Sequence, residues 1–152
     1  IGFEEDELLP ALAAFYERLV ADTLKRGVLN AYKEHNETLV ALRGRIDVPA
    51  MLRTGGMPAP VPCRFDELSI DIAENQIIRT AAVALTTYPD VAPAVRRNLR
   101  RAVGVLDGVQ IVDPRAIPPI TLTRLNRYYE PALLMAEVIL RSGGVRDRAG
   151  TL

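Results

Sequence analysis

Between Val61 and Leu85 the spacing of apolar residues changes from every second position to every third or fourth, and no single regular element accommodates both. Val61, Cys63 and Phe65 alternate as on a half-buried strand. Leu68 and Ile70 resume the alternation after a slip at Asp66-Glu67 of the kind a β-bulge produces. From Ile78 through Ala81 and Ala82 to Leu85 the spacing is helical. An earlier segment, Val40 to Asp47, also reads as extended. Val40, Leu42 and Ile46 are apolar, Gly44 interrupts them, and Arg43 and Arg45 share the opposite face. A chain patterned this way combines a small antiparallel sheet with helices.

Helical signals flank that sheet. Asp6 can cap a helix running to about Arg26, with Pro10 in its first turn and Gly27 as its stop. Leu8, Leu12, Phe15, Leu19 and Thr23 form one apolar stripe along it. Val28 to Tyr32 leads out, and His35-Asn36-Glu37 reads as a turn. Asp47-Val48-Pro49 can begin a short helical turn through Leu52. Thr54 to Pro60 is a Gly- and Pro-rich connector. Glu74 to Thr87 reads as a helix that Tyr88-Pro89 ends, with Asp71 or Glu74 at its start. Asp90 caps the next, with Pro93 in its first turn, an apolar stripe of Val91, Val95, Leu99, Ala102, Val103 and Leu106, and Gly108 as its stop. Ile111-Val112 is a short extended piece. Thr121 to Tyr129 reads as helical, and Pro131 either kinks that helix or starts a new one. Ala132 to Leu140 is apolar on nearly every side, the pattern of a buried helix, with Gly143-Gly144 after it and a tail or linker over residues 143–152. The expected fold class is α+β, mainly helical, with four to five helices and a small antiparallel sheet inserted after the first. Residues 1–152 are expected to form a single domain.

Charge and composition narrow the chemistry. Formal net charge is zero, so no global field argues for a nucleic-acid partner. Arginine nonetheless makes up all but two of the basic residues, Lys25 and Lys33 being the exceptions. Arg96, Arg97, Arg100 and Arg101 lie on the side of their helix away from the apolar stripe, where they could neutralise phosphates or simply be solvated. The lone cysteine, Cys63, rules out a disulfide within the chain and fits a reducing compartment. No apolar run reaches the ~20 residues that span a bilayer. A cytoplasmic protein with no membrane partner is the expectation. His35 is the only histidine, and no metal site is expected, because zinc takes three or four histidine, cysteine or carboxylate ligands. Gly55-Gly56 is not a phosphate loop, since no Gly-Lys-Ser/Thr follows. Asp66, Glu67, Asp71 and Glu74 could hold a cation, or cap a helix and pair with Arg43, Arg45 or Arg64.

Three blocks, in order along the chain, resemble the McrC family. They are Arg43-Gly44-Arg45-Ile46-Asp47; Phe65-Asp66-Glu67-Leu68-Ser69-Ile70-Asp71 with Asn75; and Leu125-Asn126-Arg127-Tyr128-Tyr129-Glu130-Pro131-Ala132-Leu133. McrC is the nuclease-bearing subunit of 5-methylcytosine-specific McrBC restriction systems. The resemblance spans about Leu8 to Ser142 and implies a scaffold or interaction region linking a GTP-hydrolysing McrB-type motor to a PD-(D/E)xK nuclease domain. Such a nuclease needs carboxylates for a divalent metal and a lysine two residues after one of them. Two positions before Lys25 and Lys33 stand Thr23 and Ala31, neither acidic, so the motif is absent from this chain. The family's nuclease domain is expected after the Leu133–Leu140 helix, and its upstream segment is expected to be missing or cut short.

The implied partners are McrB-type motor subunits, with DNA contacted indirectly or weakly. No catalytic residue, metal or cofactor is expected in this chain, Mg2+ belonging to the nuclease domain. Arg43, Arg45, Asp47, Asp66, Glu67, Asp71 and Asn75 are the expected anchors or partner contacts. A nucleic-acid face would use Arg96, Arg97, Arg100 and Arg101, with Arg124 and Arg127 as possible additions.

Overall fold

The structure, a computed structural model, describes residues 5–39, 45–46 and 61–150, with side chains described at 8–32 and 67–143. Its elements run α1 (Glu5–Arg26), β1 (Ala31–Leu39), β2 (Arg45–Ile46), β3 (Val61–Ser69), α2 (Ala73–Thr86), α3 (Pro93–Val105), a 3-10 turn (Arg127–Tyr129) and α4 (Glu130–Gly150). This is the expected α+β class, mainly helical. The chain gathers into two compact units, residues 30–69 forming one and residues 1–29 with 70–152 the other.

The smaller unit is a three-stranded antiparallel sheet in the order β1-β3-β2. The register of β1 on β3 runs unbroken from Ala31 opposite Ser69 to Leu39 opposite Val61. The expected bulge at Asp66-Glu67 is therefore absent; these residues face Glu34 and Lys33. Without a bulge, Leu68 falls on the opposite face of the strand from Phe65. It lies exposed beside its register partner Tyr32, which is exposed too. His35-Asn36-Glu37, expected as a turn, lies in the middle of β1. The polar run carries no alternation of its own, and its conformation comes from pairing with β3. Arg45 and Ile46 pair with Arg64 and Cys63. The rest of the strand expected over Val40–Asp47, the helical turn from Asp47 to Leu52 and the Thr54–Pro60 connector lie outside the described residues.

In the helical unit, α1 stops at Gly27, whose φ of 135° a residue with a Cβ rarely adopts. Of the expected stripe, Thr23 is buried and Leu12 and Leu19 pack half-buried against the core, whereas Leu8 and Phe15 are each 52% exposed. The buried positions are Ala13, Tyr16, Val20 and Thr23, a face rotated about the axis from the expected one. Tyr16, on that face, carries a hydroxyl that a count of apolar positions leaves out. The Tyr16 hydroxyl donates to the Ile78 carbonyl at 2.9 Å, which allows complete burial of the ring.

Helix α2 packs against both α3 and α4, and α1 lies against the same two. Ile77, Ile78, Ala81, Ala82 and Leu85 of α2 are buried, as the helical spacing required. Its N-cap is Ile72, not Asp71, with Glu74 in the first turn; α3 is likewise capped at Ala92, not Asp90. Leu99 is buried mid-α3, with Val91 and Leu106 buried at its two ends. Helix α4 begins at Glu130, so Pro131 opens a new helix where its missing donor costs little.

Two expectations about α4 are corrected. It runs through Gly143-Gly144 to Gly150, and a Cβ at Gly143 would sit 3.4 Å from the Tyr88 hydroxyl, at ordinary contact distance. Nor is it buried all round. Ala132, Leu133, Ala136, Ile139 and Leu140 are buried, but Leu134 is 57% and Val138 50% exposed. Thr121–Tyr129 is irregular before its final 3-10 turn. The Asn126 side chain takes the Thr123 N–H and the Thr121 carbonyl there, a local alternative to helical bonding. No helix among the described residues is long and apolar enough to cross a membrane.

Candidate functional site

The chain leaves the helical unit after Leu29 and re-enters it at Ile70. Both crossing points are held by one buried amide. Asn75, on the first turn of α2 and wholly buried, donates from Nδ2 to the Leu29 carbonyl at 2.9 Å and to the Ile70 carbonyl at 2.8 Å. Its Oδ1 accepts a hydrogen bond of 2.7 Å from the Tyr129 hydroxyl. That hydroxyl in turn accepts the Leu29 N–H at 2.9 Å. Both backbone groups of Leu29 are thus satisfied by side chains 46 and 100 residues away in sequence. One residue earlier in the 3-10 turn, Tyr128 donates to the Gly27 carbonyl just past the end of α1. Its ring meets Tyr129 edge-on, centroids 5.0 Å apart at 85°, and the Arg26 guanidinium lies 5.3 Å from its centroid.

Burial pushes the Tyr129 phenol up to about 12, partly offset by its bond to the Leu29 backbone. Burial also raises Tyr128 and, more strongly, Tyr16. These hydroxyls stay neutral near pH 7, so they can donate. The cluster offers no base beside a nucleophile, and the groups that converge in it are spent on backbone. Its chemistry is positional: it fixes the separation of two chain segments. A second set of bonds does the same for the connector after α3. The Gln110 and Val112 amides donate to Asp71 Oδ1 and Thr80 Oγ1, and Arg79 donates to the Val109 carbonyl.

Of the expected anchors whose side chains are described, Asn75 alone falls in the clamp. One Asp71 oxygen accepts from Gln76 Nε2 and the Gln110 N–H. Glu67 lies exposed on β3. Arg45 and Asp66 are described only as backbone, in β2 and β3, and Arg43 and Asp47 lie outside the described residues. Among the described residues no group of three or more histidines, cysteines or carboxylates gathers to hold a metal.

The clamp residues not expected as site residues are Tyr128 and Tyr129. Their signal was an adjacent pair in a chain with few aromatics, set just before a proline-led helix. The arginine face divides. Arg96 donates from Nη2 to the Tyr88 carbonyl at 2.6 Å, with its Nε buried and unbonded. It serves the turn before α3. Arg97, Arg100 and Arg101 are exposed, as are Arg124 and Arg127.

A family model for McrBC 5-methylcytosine restriction system components matches residues 2–151. Among curated proteins none matches. Solved structures share the fold, two of them from McrBC assemblies. One is the cryo-EM structure of the Thermococcus gammatolerans McrBC complex. Its similar chain is 17% identical with a TM-score of 0.73, over 86% of this chain and 40% of that one. The other is a half-complex from a tetradecameric assembly of Thermococcus gammatolerans McrB AAA+ hexamers with bound McrC. Identity, TM-score and coverage of this chain are the same there, and 32% of that chain is covered. The chain thus spans less than half the length of the solved chains it matches.

Proposed function

The chain belongs to the family of McrBC 5-methylcytosine restriction system components, and we propose that it is the scaffold of an McrC-type subunit, docking on a GTP-hydrolysing McrB-type motor and carrying the nuclease domain of the same protein. It does not itself cut DNA. The observation that carries this reading is where two of the family-like blocks meet. Asn75 from one, and Tyr128 and Tyr129 from the other, converge on Gly27, Leu29 and Ile70 and hold backbone there. Residues that mark the family would be spent on fixing two chain crossings, which is what a scaffold requires and an active site does not. The absence of a D/E-x-K sequence around Lys25 and Lys33 supports the same reading.

Two measurements test it. Incubated with methylated plasmid and Mg2+, the protein leaves the DNA intact; reproducible, chelator-sensitive cleavage by a clean preparation would overturn the assignment. Added to a purified McrB-type motor, it forms a complex that co-elutes on gel filtration, and GTP hydrolysis changes with saturating dependence on its concentration. No complex and no change in rate would remove the motor-docking role.

A further inference from the structure

The outer face of α3 carries three arginines that no described residue neutralises. Arg97, Arg100 and Arg101 are exposed, and none makes a hydrogen bond or ion pair with a described residue. Pro93–Val105 contains no acidic residue, so no i,i+4 partner exists within the helix. The opposite face is anchored by buried Leu99, with Val95, Ala102 and Val103 packed against the core. This fixes the helix's rotation and holds the arginines outward. Arg96 is excluded by its bond to the Tyr88 carbonyl. The three remaining side chains start within roughly 6 Å along the helix axis, close enough to address neighbouring phosphates of one strand.

We propose that this face binds the phosphate backbone of double-stranded DNA without reading its sequence. Guanidinium groups suit the task because their planar donors grip phosphate oxygens bidentately. The helix has no aromatic residue on which bases could stack, which disfavours a single-stranded ligand. The face presents one amide, Asn98, and no carboxylate for base edges, and the spacing of its arginines along the axis suits neighbouring phosphates. The neutral chain as a whole makes the attraction local to α3 instead of a general field. This inference is independent of the motor-docking role.

The test is fluorescence anisotropy of a labelled 30-base-pair duplex titrated with the protein across a salt series. Three phosphate contacts give a slope of log affinity against log salt of about −2.7, so binding weakens by about 40-fold between roughly 50 and 200 mM salt. The triple variant R97Q/R100Q/R101Q, altered only at exposed positions, keeps its circular-dichroism melt and loses that binding. A single strand of the same length binds more weakly than the duplex. Three results would overturn the proposal: no duplex binding by the parent at the lowest salt, unchanged affinity and slope in the triple variant, or preference for the single strand.

Discussion

Tyr129→Phe removes one oxygen atom and leaves the ring, its edge-on contact with Tyr128 and the volume of the core unchanged. No cavity forms, so the change in stability reports hydrogen bonding alone. Two bonds go: the 2.9 Å bond from the Leu29 amide and the 2.7 Å bond to Asn75 Oδ1. Asn75 stays in place through its two bonds to carbonyls, which leaves Oδ1 buried with no replacement donor. An orphaned buried acceptor costs about 1–3 kcal/mol, and losing a part-buried amide's partner adds about 1 kcal/mol. The expected total is about 2–4 kcal/mol, a drop in Tm of roughly 4–16 °C for a chain of this size. Urea unfolding should move its midpoint at unchanged m, because the folded state stays equally compact. Hydrogen exchange gives the site-specific readout: the Leu29 amide, protected in the parent, should exchange far faster in the variant. A midpoint shift under about 0.5 kcal/mol with Leu29 still protected would mean the clamp does not hold the crossing, and the scaffold reading would lose its physical basis.

Further outcomes follow from burial and protonation. Leu134→Asp, at a position 57% exposed, should shift stability by no more than about 0.5 kcal/mol, whereas Leu140→Asp, at 3% exposure, should prevent folding by burying an unpaired charge; thermal melts of both refute the burial pattern if their order reverses. Stability should also fall in alkali. The Tyr129 phenol is raised to about 12 in the folded state against an unfolded value near 10. Its contribution is therefore complete below about pH 10 and is lost as pH climbs through that window, because the unfolded chain gives up the proton first. Tyr129→Phe should flatten the loss measured by urea midpoints between about pH 9 and 12; an equal slope in both proteins would show that Tyr129 is not the group responsible.

The period change between Val61 and Leu85 was sufficient to place a strand before a helix, and Gly27 and Pro131 marked ends that the fold respects. These features were legible because each depends on local geometry: side-chain periodicity, a positive φ, a missing N–H. The polar strand around His35 was not, since its conformation depends on its partner β3. The same holds for the core face of α1, which includes Tyr16, whose hydroxyl is satisfied by a carbonyl 62 residues away. Asn75 could be marked as special from its place in a family-like block, but not as a clamp. What it does requires Leu29, Ile70 and Tyr129 to arrive at one point, and the separation of those residues along the chain carries no information about their distance in space. The arginines illustrate the division within a single helix. Sequence spacing set four of them on the polar side of α3, and only the packing of the preceding turn, which offers the Tyr88 carbonyl, takes Arg96 out of the group and leaves three facing solvent.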